Sequence, residues 1–433
     1  MRRALPALAA AILLASCAEM SKLPPGADVG PRPVIAEPRT SWLPTLQVAP
    51  AIGWPAGRKP VAAAGLAVTA FASGLEHPRW LHVLPNGDVL VAESDAPERQ
   101  DSGGGLKAWA MKVVMKIAGS ASKSADRITL LRDADGDGVA EVRETFATSL
   151  HSPFGMALVG DALYVANTDA IVRFAYRPGA TRVEGGGTKV VDLPAQPLNH
   201  HWTKSLVASP DGRKLYVGVG SNSNVAESGL EVEAGRAAVW EVDVASGSKR
   251  LFATGLRNPV GLAFAPGTRE LWAVVNERDE LGSDLVPDLF TRVVDGAFYG
   301  WPWAYFGRVD ARVQPPDADA AKRMRMPDYA LGSHVAPLGL AFSEGLRWPA
   351  PFGAGAFIGQ HGSWNRRPPN GYNVVFVPFD GASPSGKPVV VLEGFLSEDT
   401  KAYGRPVGVA VDRRNGLLVA DDVGGVVWRL APR

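Results

Sequence analysis

The chain has 433 residues, of which 46% are apolar, so a sizeable hydrophobic core is possible and disorder over most of the length is excluded. Its 45 basic and 44 acidic residues nearly cancel, which argues against a nucleic-acid surface, where a basic stripe is expected. The 48 glycines and 35 prolines indicate many turns.

Residues 1–17 are predicted to be a lipoprotein signal peptide. Two arginines precede an apolar run from Ala4 to Ala15, which is typical of a secretory signal and too short for a membrane span. LASC resembles the bacterial lipobox, and Cys17 is the only cysteine in the chain. We therefore expect acylation of Cys17; an ordinary cleaved signal peptide is the alternative.

Ala18 follows the cysteine and favours the outer membrane. The expected location is the periplasmic side of a bacterial cell envelope, with contact to the membrane through the N-terminal lipid only. Residues 18–63 are rich in Pro and Ala and show little periodicity, so they are predicted to form a tether from the lipid to the folded domain.

Six similar stretches follow along the chain. Each contains a short apolar strand such as GLAF, a turn with Gly, Pro, Asn or Asp, and a second apolar strand such as LLVAD. Most are followed by two more strand-like runs. Six four-stranded units predict an all-β fold, a six-bladed β-propeller over residues 64–433. The six stretches begin at Gly74, Ser149, Asn199, Gly255, His334 and Gly404.

The ends of the chain are predicted to close the ring. Gly65–Leu75 would supply the outer strand of the last blade, beside the C-terminal run VVWRLAP. Such closure removes free sheet edges. A pair of β-sandwiches is the competing interpretation, which the regular recurrence of the GLAF-type strand disfavours.

Two features interrupt the first unit. Gly105–Ala121 is predicted to be a short helical insertion that packs on the propeller, with a lid, a partner surface or a membrane contact as alternatives. Residues 133–144 satisfy the D-x-D-x-D-G-x5-E pattern of an EF-hand calcium loop. Because the flanks read as strands, a metal-free hairpin turn is the alternative. The predicted ligands of this second calcium ion are Asp133, Asp135, Asp137 and Glu144.

In repeat register, the loop that leads into each innermost strand opens onto one face of the ring. Polar and basic side chains on these loops predict a ligand pocket at one mouth of the channel. Arginine and histidine there favour an anionic ligand. The loops carry Pro78-Arg79, His151-Ser152, His200-His201, Arg257-Asn258, His334 and Arg405.

Several motifs in series closely resemble the sorbosone dehydrogenase family, which is related to the soluble PQQ-dependent glucose and aldose dehydrogenases. They are LNHHWTKSLVASPDGRKLYVGVGSNSN, GLRNPVGLAFAP, YGWPWAYFG, HVAPLGLAF, GAFIGQHGSWNR and GYNVVFVPF. The resemblance covers roughly Leu66 to the C terminus. It implies a six-bladed propeller that holds pyrroloquinoline quinone (PQQ) and Ca²⁺ where these loops open. The implied activity is oxidation of a sugar, aldehyde or related alcohol.

The resemblance also implies roles for single residues. His201, five residues before Leu206, matches the general base, and His200 stands where the glucose enzyme has an aspartate that orients this base. Arg257 and Asn258 match a motif that contacts the quinone, where Arg257 would also stabilise charge on the reduced cofactor.

Further cofactor contacts follow from the same resemblance. Arg405 matches one of two basic residues that bind the quinone carboxylates; Tyr403 stands at the other position, and Arg366 or Arg367 is expected to compensate. His334 replaces a small hydroxyl residue of the cofactor site. The Ca²⁺ ligands would be the backbone carbonyls of Asp279 and Glu280.

Two other functions remain open on the sequence. A calcium-dependent propeller hydrolase of the lactonase type would recruit Glu93, Asn276 and Glu277 as metal ligands. The other is a propeller that only binds ligands or protein partners. The sequence has no CxxCH motif for covalent haem and no GxGxxG after a strand, so electrons would leave to an external acceptor.

Overall fold

The computed structural model describes residues 19–40, 45–97, 117, 119, 123–196 and 198–433. Cys17 with the predicted signal peptide, and most of the predicted insertion Gly105–Ala121, lie outside the described residues. Six antiparallel sheets form the six blades of a β-propeller, which confirms the predicted fold class.

The strands follow the predicted units along the chain. Before the first blade lie β1 (Val29–Gly30), β2 (Val61–Ala62) and β3 (Leu66–Ser73). Blade 1 consists of β4 (Pro78–Val83), β5 (Val89–Glu93), β6 (Arg127–Arg132) and β7 (Val142–Ala147). Blade 2 consists of β8 (Met156–Val159), β9 (Ala162–Ala166), β10 (Ala170–Ala175) and β11 (Thr188–Asp192). Blade 3 consists of β12 (Leu206–Ala208), β13 (Lys214–Val219), β14 (Ala238–Asp243) and β15 (Lys249–Thr254).

The second half of the ring carries extra elements. Blade 4 contains β16 (Asn258–Phe264), β17 (Leu271–Asn276), β18 (Pro287–Val293) and β21 (Tyr329–Ser333). Its inserted elements are β19 (Ala304–Tyr305), β20 (Arg308–Val309) and the helix α1 (Ala320–Arg323). Blade 5 contains β22 (Pro337–Phe342), β23 (Gly355–Gln360), β24 (Asn373–Asp380), β25 (Ser383–Pro384) and β26 (Val389–Glu393). Blade 6 contains β27 (Pro406–Val411), β28 (Leu417–Asp421) and β29 (Val426–Pro432). A 3₁₀ turn spans Glu231–Glu233 in blade 3.

The predicted closure of the ring is observed. β29 pairs antiparallel with β3 from Pro432 opposite Leu66 to Val426 opposite Ser73, so an N-terminal strand completes blade 6. This pairing joins the two ends of the propeller and leaves no open edge between the last blade and the first.

The innermost strands surround the channel and approach one another closely. A Cβ on Gly339 would lie 2.3 Å from the carbonyl oxygen of Val407, and one on Gly408 would lie 2.8 Å from that of Arg79. Close backbone approach explains the glycine of the recurring GLAF and GVAV strands. Away from the mouth, the channel contains an open cavity of about 310 Å³. Side chains from all six innermost strands line it, including Leu81, Leu158, Val207, Leu262, Leu340 and Val409.

The described residues of the predicted tether lie against the propeller. β1 pairs with β21 and extends blade 4, and β2 pairs with β26 and extends blade 5. Trp54 donates a 2.6 Å hydrogen bond to the Asp421 carboxylate and stacks on Tyr403. Residues 19–40 and 45–63, hereafter the N-terminal segment, are therefore part of the fold where the structure describes them. Among the described residues, no helix is long and apolar enough to cross a bilayer.

Candidate active site

The channel mouth is built from two loops of every blade. Because the first two strands of a blade are antiparallel, the start of the first strand meets the end of the second, as in Asn258 opposite Asn276. Hydrogen bonds across these loops link successive blades around the whole ring. The links are Ser94–Pro153, Thr168–Trp202, Ser221–Arg257, Asn276–Pro337, His361–Asp422 and Arg79–Asp422. The mouth is thus a fixed polar rim.

His201 lies in this rim with one ring nitrogen fixed. Its Nδ1 is 2.7 Å from the carbonyl oxygen of Ser221, in the loop that follows β13. A carbonyl oxygen only accepts, so Nδ1 carries the proton and the neutral ring presents Nε2 as an acceptor. Burial, and next the positive charge of Arg257, hold the pKa of His201 well below its usual 6.5. The ring is therefore a neutral base at physiological pH, and the Ser221 carbonyl holds its orientation.

Asn258 begins β16, the innermost strand of blade 4, and Arg257 directly precedes it. A Cβ on Gly220 would lie 2.3 Å from Asn258 Oδ1 and 2.5 Å from His201 Cβ. The absence of a side chain at Gly220 therefore leaves room for the side chains of Asn258 and His201 to approach the same backbone position. Arg257 is buried, and its guanidinium donates to the carbonyl oxygens of Glu277 and Asn224 at 2.8 and 3.2 Å. The structure thus brings the predicted base and the predicted quinone contacts together.

The Asp279 carboxylate joins three loops of the rim. Arg257 Nη2 lies 3.3 Å from Oδ2, while Asn365 Nδ2 and His334 Nδ1 lie 2.7 and 3.4 Å from Oδ1. Burial alone would raise the pKa of Asp279, but the hydrogen bond from His334 and the charge of Arg257 hold it at about 2. Asp279 is therefore an ionised partner that holds blades 4 and 5 together through its side chain.

Both ring nitrogens of His334 contact other residues of the rim. Its Nε2 lies 3.0 Å from the Gly282 carbonyl oxygen, and its Nδ1 faces Asp279. Burial would lower the pKa of His334, but the hydrogen bond to Asp279 raises it above 6.5. Both nitrogens are thus used within the protein, and the predicted cofactor contact would require one of them to be released.

The two predicted carboxylate-binding arginines contact the N-terminal segment. Arg405 is buried, donates from Nη2 to the Ala49 carbonyl oxygen at 3.1 Å and lies 5.1 Å over the ring of Tyr372. Arg366 donates to the Ser283 carbonyl oxygen at 3.0 Å and to the Ser21 hydroxyl at 3.1 Å. Of the two, only Arg405 keeps a buried donor, Nε, without a partner among the described residues.

Buried polar atoms without partners mark where a ligand fits. An unpaired buried donor or acceptor is costly unless a ligand or water supplies its partner. Among the described residues, such atoms in the rim include Arg79 Nε, Asn258 Oδ1, Asn365 Oδ1 and Arg405 Nε. The two arginine donors suit the carboxylates and carbonyls of PQQ, so the residues of the mouth fit this cofactor.

The predicted Ca²⁺ ligands fit less well. The Asp279 carbonyl oxygen accepts hydrogen bonds from Arg312 Nη1 at 2.8 Å and from Asn224 Nδ2 at 3.2 Å. A guanidinium in this position would repel a cation. Glu280, the second predicted ligand, is exposed and has a positive φ of 71°. In this arrangement the Asp279 carbonyl faces the Arg312 guanidinium, and the calcium site at Asp279 and Glu280 stays a prediction.

The residues proposed for a lactonase-type metal site are engaged elsewhere. Glu93 pairs with Arg127 at 2.9 Å, Glu277 pairs with Arg278 at 3.1 Å, and Asn276 donates to the Pro337 carbonyl oxygen. Each carboxylate has its own arginine, so no open set of ligands is left among them. This arrangement disfavours the hydrolase.

The acidic hairpin between β6 and β7 gathers a different ligand set from the one predicted. Asp133, Asp135, Asp137 and Glu141 have carboxylate oxygens that all lie within 4.8 Å of one another. Glu144 lies within β7 opposite Leu130 and is not part of this group. The reason is that the flanks are strands, so the chain has already entered β7 at the position where an EF-hand would supply its last ligand.

Calcium binding by this hairpin can be tested on the apoprotein. If the four carboxylates bind Ca²⁺ in the folded state only, Ca²⁺ should raise the melting temperature. Glu141→Gln should remove most of this shift, whereas the matched variant Glu144→Gln should keep it. An equal response of the two variants, or no shift in the unmodified protein, would contradict a site made by Glu141.

Several residues of the rim were missed from the sequence. Ser221, Asn365, His361 and Asp422 all follow the second strand of their blade, whereas the pocket predicted from the repeat register comprised the loops before the first strand. His361 Nε2 lies 3.0 Å from Asp422, which also accepts from Arg79. The antiparallel pairing of these two strands was the signal that would have pointed to both sets.

The fold and the rim define a six-bladed propeller with a basic and polar channel mouth. Residues 122–288 and 304–433 match the family described as TrAA12-like, and the chain belongs to this family. An uncharacterized protein of Borreliella burgdorferi is 27% identical over 297 residues, which cover 66% of this chain and 77% of that protein.

Solved structures share the fold at low sequence identity. The holo PQQ domain of a pyranose dehydrogenase from Coprinopsis cinerea is 20% identical, with a TM-score of 0.67, and the match covers 89% of this chain and 100% of that chain. A calcium structure of a Trichoderma reesei enzyme of family AA12 is 20% identical, with a TM-score of 0.66 and coverage of 90% and 99%. The PQQ-bound aldose sugar dehydrogenase of Streptomyces coelicolor is 18% identical, with a TM-score of 0.55 and coverage of 86% and 99%.

Proposed function

We propose that this protein is a PQQ-dependent oxidoreductase that oxidises a sugar, an aldehyde or a related alcohol. The observation that carries this proposal is His201, whose Nδ1 is bound to the Ser221 carbonyl, which leaves Nε2 as the acceptor, while Asn258 approaches the same glycine, Gly220. The names of the similar solved proteins, a pyranose dehydrogenase PQQ domain and an aldose sugar dehydrogenase, support the same class.

Within this proposal, the residues of the rim have separate roles in binding and catalysis. PQQ, when bound, supplies the acceptor for the hydride that leaves the substrate carbon. His201 takes the proton of the substrate hydroxyl, or of an aldehyde hydrate, at Nε2, and the substrate carbon–oxygen bond becomes a carbonyl. Arg257 and Asn258 orient the cofactor, and the charge of Arg257 favours its reduced, more negative form. Arg79 and Arg405 would bind its carboxylates through their unpaired Nε donors.

The finer assignment is the sorbosone dehydrogenase type, and it rests on the motifs around His201 and Arg257. The reduced cofactor would pass its electrons to an external acceptor. Since the Asp279 carbonyl is engaged by Arg312, we assign Ca²⁺ no step in the reaction.

The test uses purified apoprotein, PQQ with and without Ca²⁺, an artificial electron acceptor dye and a panel of aldoses and aldehydes. We expect saturable PQQ binding and substrate-dependent reduction of the dye. Absence of both would refute the proposal. Lactone hydrolysis with Ca²⁺ alone would support the hydrolase, and PQQ-independent ligand binding without turnover would support a binding protein.

We also propose that Cys17 carries a lipid that holds the protein on the periplasmic side of the cell envelope, at the outer membrane. The support is the charged start, the short apolar run and the LASC motif of the sequence. Labelling of cells with radioactive palmitate should mark the full chain and leave Cys17→Ser unlabelled.

A further inference from the structure

The first described residue is fixed on the channel mouth. Ser283 donates from its backbone nitrogen to Glu19 Oε2 at 2.6 Å and from its hydroxyl to the Glu19 carbonyl oxygen at 3.0 Å. Arg39 pairs with the same carboxylate at 2.8 Å. Ser283 lies in the loop after β17, the strand whose end faces Asn258. The chain is therefore attached to the rim from Glu19 onward.

The N-terminal segment then crosses the mouth face from blade 4 to blade 6. Ser21 donates a 2.8 Å backbone hydrogen bond to the Arg367 carbonyl oxygen, and Gln47 donates one of 2.8 Å to that of Trp364, both in blade 5. Trp54 reaches Asp421 at the end of β28 in blade 6. These contacts place Glu19, Ser21, Gln47 and Trp54 on the face that contains His201, while β1 and β2 of the same segment lie at the outer edges of blades 4 and 5.

Apolar side chains stand exposed along this path. The exposed fractions are 55% for Met20, 41% for Leu46 and 52% for Ile52. Ile117, whose carbonyl oxygen accepts from the Ala51 backbone nitrogen at 3.0 Å, is 45% exposed beside them. Exposed apolar residues of this size also occur elsewhere on the surface, as at Val61 and Val139, so their exposure permits a lipid contact and the short link to Cys17 selects the face.

The short stretch of chain between Cys17 and Glu19 bears on which partner this would be. Cys17 precedes Glu19 by two residues, and two extended residues span at most about 7 Å. A lipid on Cys17 would insert into the bilayer directly beside the loop that holds Glu19. With so little chain between them, the propeller has no tether on which to turn away.

We propose that the channel-mouth face of this protein lies against the lipid surface, with Met20, Leu46, Ile52 and Ile117 in contact with the headgroup region. This inference rests on the proposed lipidation of Cys17. The propeller would then have a fixed orientation on the membrane instead of moving freely on a tether. Substrate would reach His201 through the gap between the channel mouth and the membrane.

The experiment places probes on opposite faces of the lipidated full chain. Because Cys17 is the only cysteine and its thiol is consumed by the lipid, an introduced cysteine is the only free thiol. Ile52→Cys reports on the mouth face. Val139→Cys is the matched control, since Val139 is 42% exposed in the hairpin at the opposite face. Each variant is labelled with a fluorophore and reconstituted in phosphatidylethanolamine–phosphatidylglycerol vesicles that contain a headgroup nitroxide lipid.

We expect quenching several-fold stronger at position 52 than at position 139, with Leu46→Cys resembling Ile52→Cys. Equal quenching at the two faces, or stronger quenching at position 139, would overturn the proposal. The intact mass first establishes the acyl chains, and their absence would also overturn it. The readout needs neither PQQ nor turnover, so failure of the proposed enzymatic function would leave the quenching pattern unchanged and is distinguishable from failure of the orientation.

Discussion

Replacing His201 by alanine is expected to lower kcat by about 10²–10⁴-fold, the usual contribution of a general base, while PQQ still binds. The reason is that Nε2 is the acceptor that the hydrogen bond from Nδ1 to Ser221 leaves available at the mouth. Dye reduction with the best substrate of the panel measures kcat, and titration with PQQ measures its dissociation constant.

The neighbouring residue provides a matched control. His200 is exposed, so His200→Ala should keep both kcat and the melting temperature close to those of the unmodified protein. Activity retained in His201→Ala would remove His201 as the base. An equal loss of activity in both variants would instead point to a structural effect of this loop.

The pH dependence of kcat/KM should also report on His201 as the base. Burial first, and the charge of Arg257 second, lower the pKa of His201 below 6.5. A lower pKa means that the ring stays unprotonated to lower pH, so the acid limb of kcat/KM should lie below pH 6.5. A limb that falls above pH 6.5 would contradict a buried base beside Arg257.

The fold was predictable because each blade is a local unit. Its strand–turn–strand pattern recurs six times, and the glycines of the GLAF-type strands mark where innermost strands meet, as at Gly339 and Val407. The partner of β3 was also predictable, because a ring leaves one incomplete blade at its ends and the chain offers one unassigned strand.

The site was predictable only in part, because its details depend on contacts between distant segments. The loop positions of His201, Arg257 and Asn258 follow from the repeat. The hydrogen bond of Arg405 to Ala49, and that of Arg366 to Ser21, join residues more than 300 positions apart. No local sequence pattern indicates such contacts, and the proline- and alanine-rich composition of the N-terminal segment instead predicts a tether.

The Asp279 cluster should dominate the stability of the mouth. Asp279→Ala would leave the buried guanidinium of Arg257 and the ring of His334 without their carboxylate, and removing one partner of a buried pair costs about 3–5 kcal/mol in the free energy of unfolding. Urea denaturation at pH 7 measures this loss. The exposed Arg250–Asp295 pair is the control, since Asp295→Ala should cost at most about 1 kcal/mol.

The pH dependence distinguishes an ionised Asp279 from a neutral one. Its pKa of about 2 in the folded protein lies below the ordinary 3.8, so its contribution is fully present above pH 4 and is lost as the pH falls towards 2. The difference in unfolding free energy between the unmodified protein and Asp279→Asn should therefore shrink as the pH is lowered through this range. Two results would contradict this prediction: a loss of unfolding free energy in Asp279→Ala no larger than in Asp295→Ala, or a difference between the unmodified protein and Asp279→Asn that does not change with pH. Either result would mean that the backbone hydrogen bonds, rather than the Asp279 carboxylate, stabilise the rim.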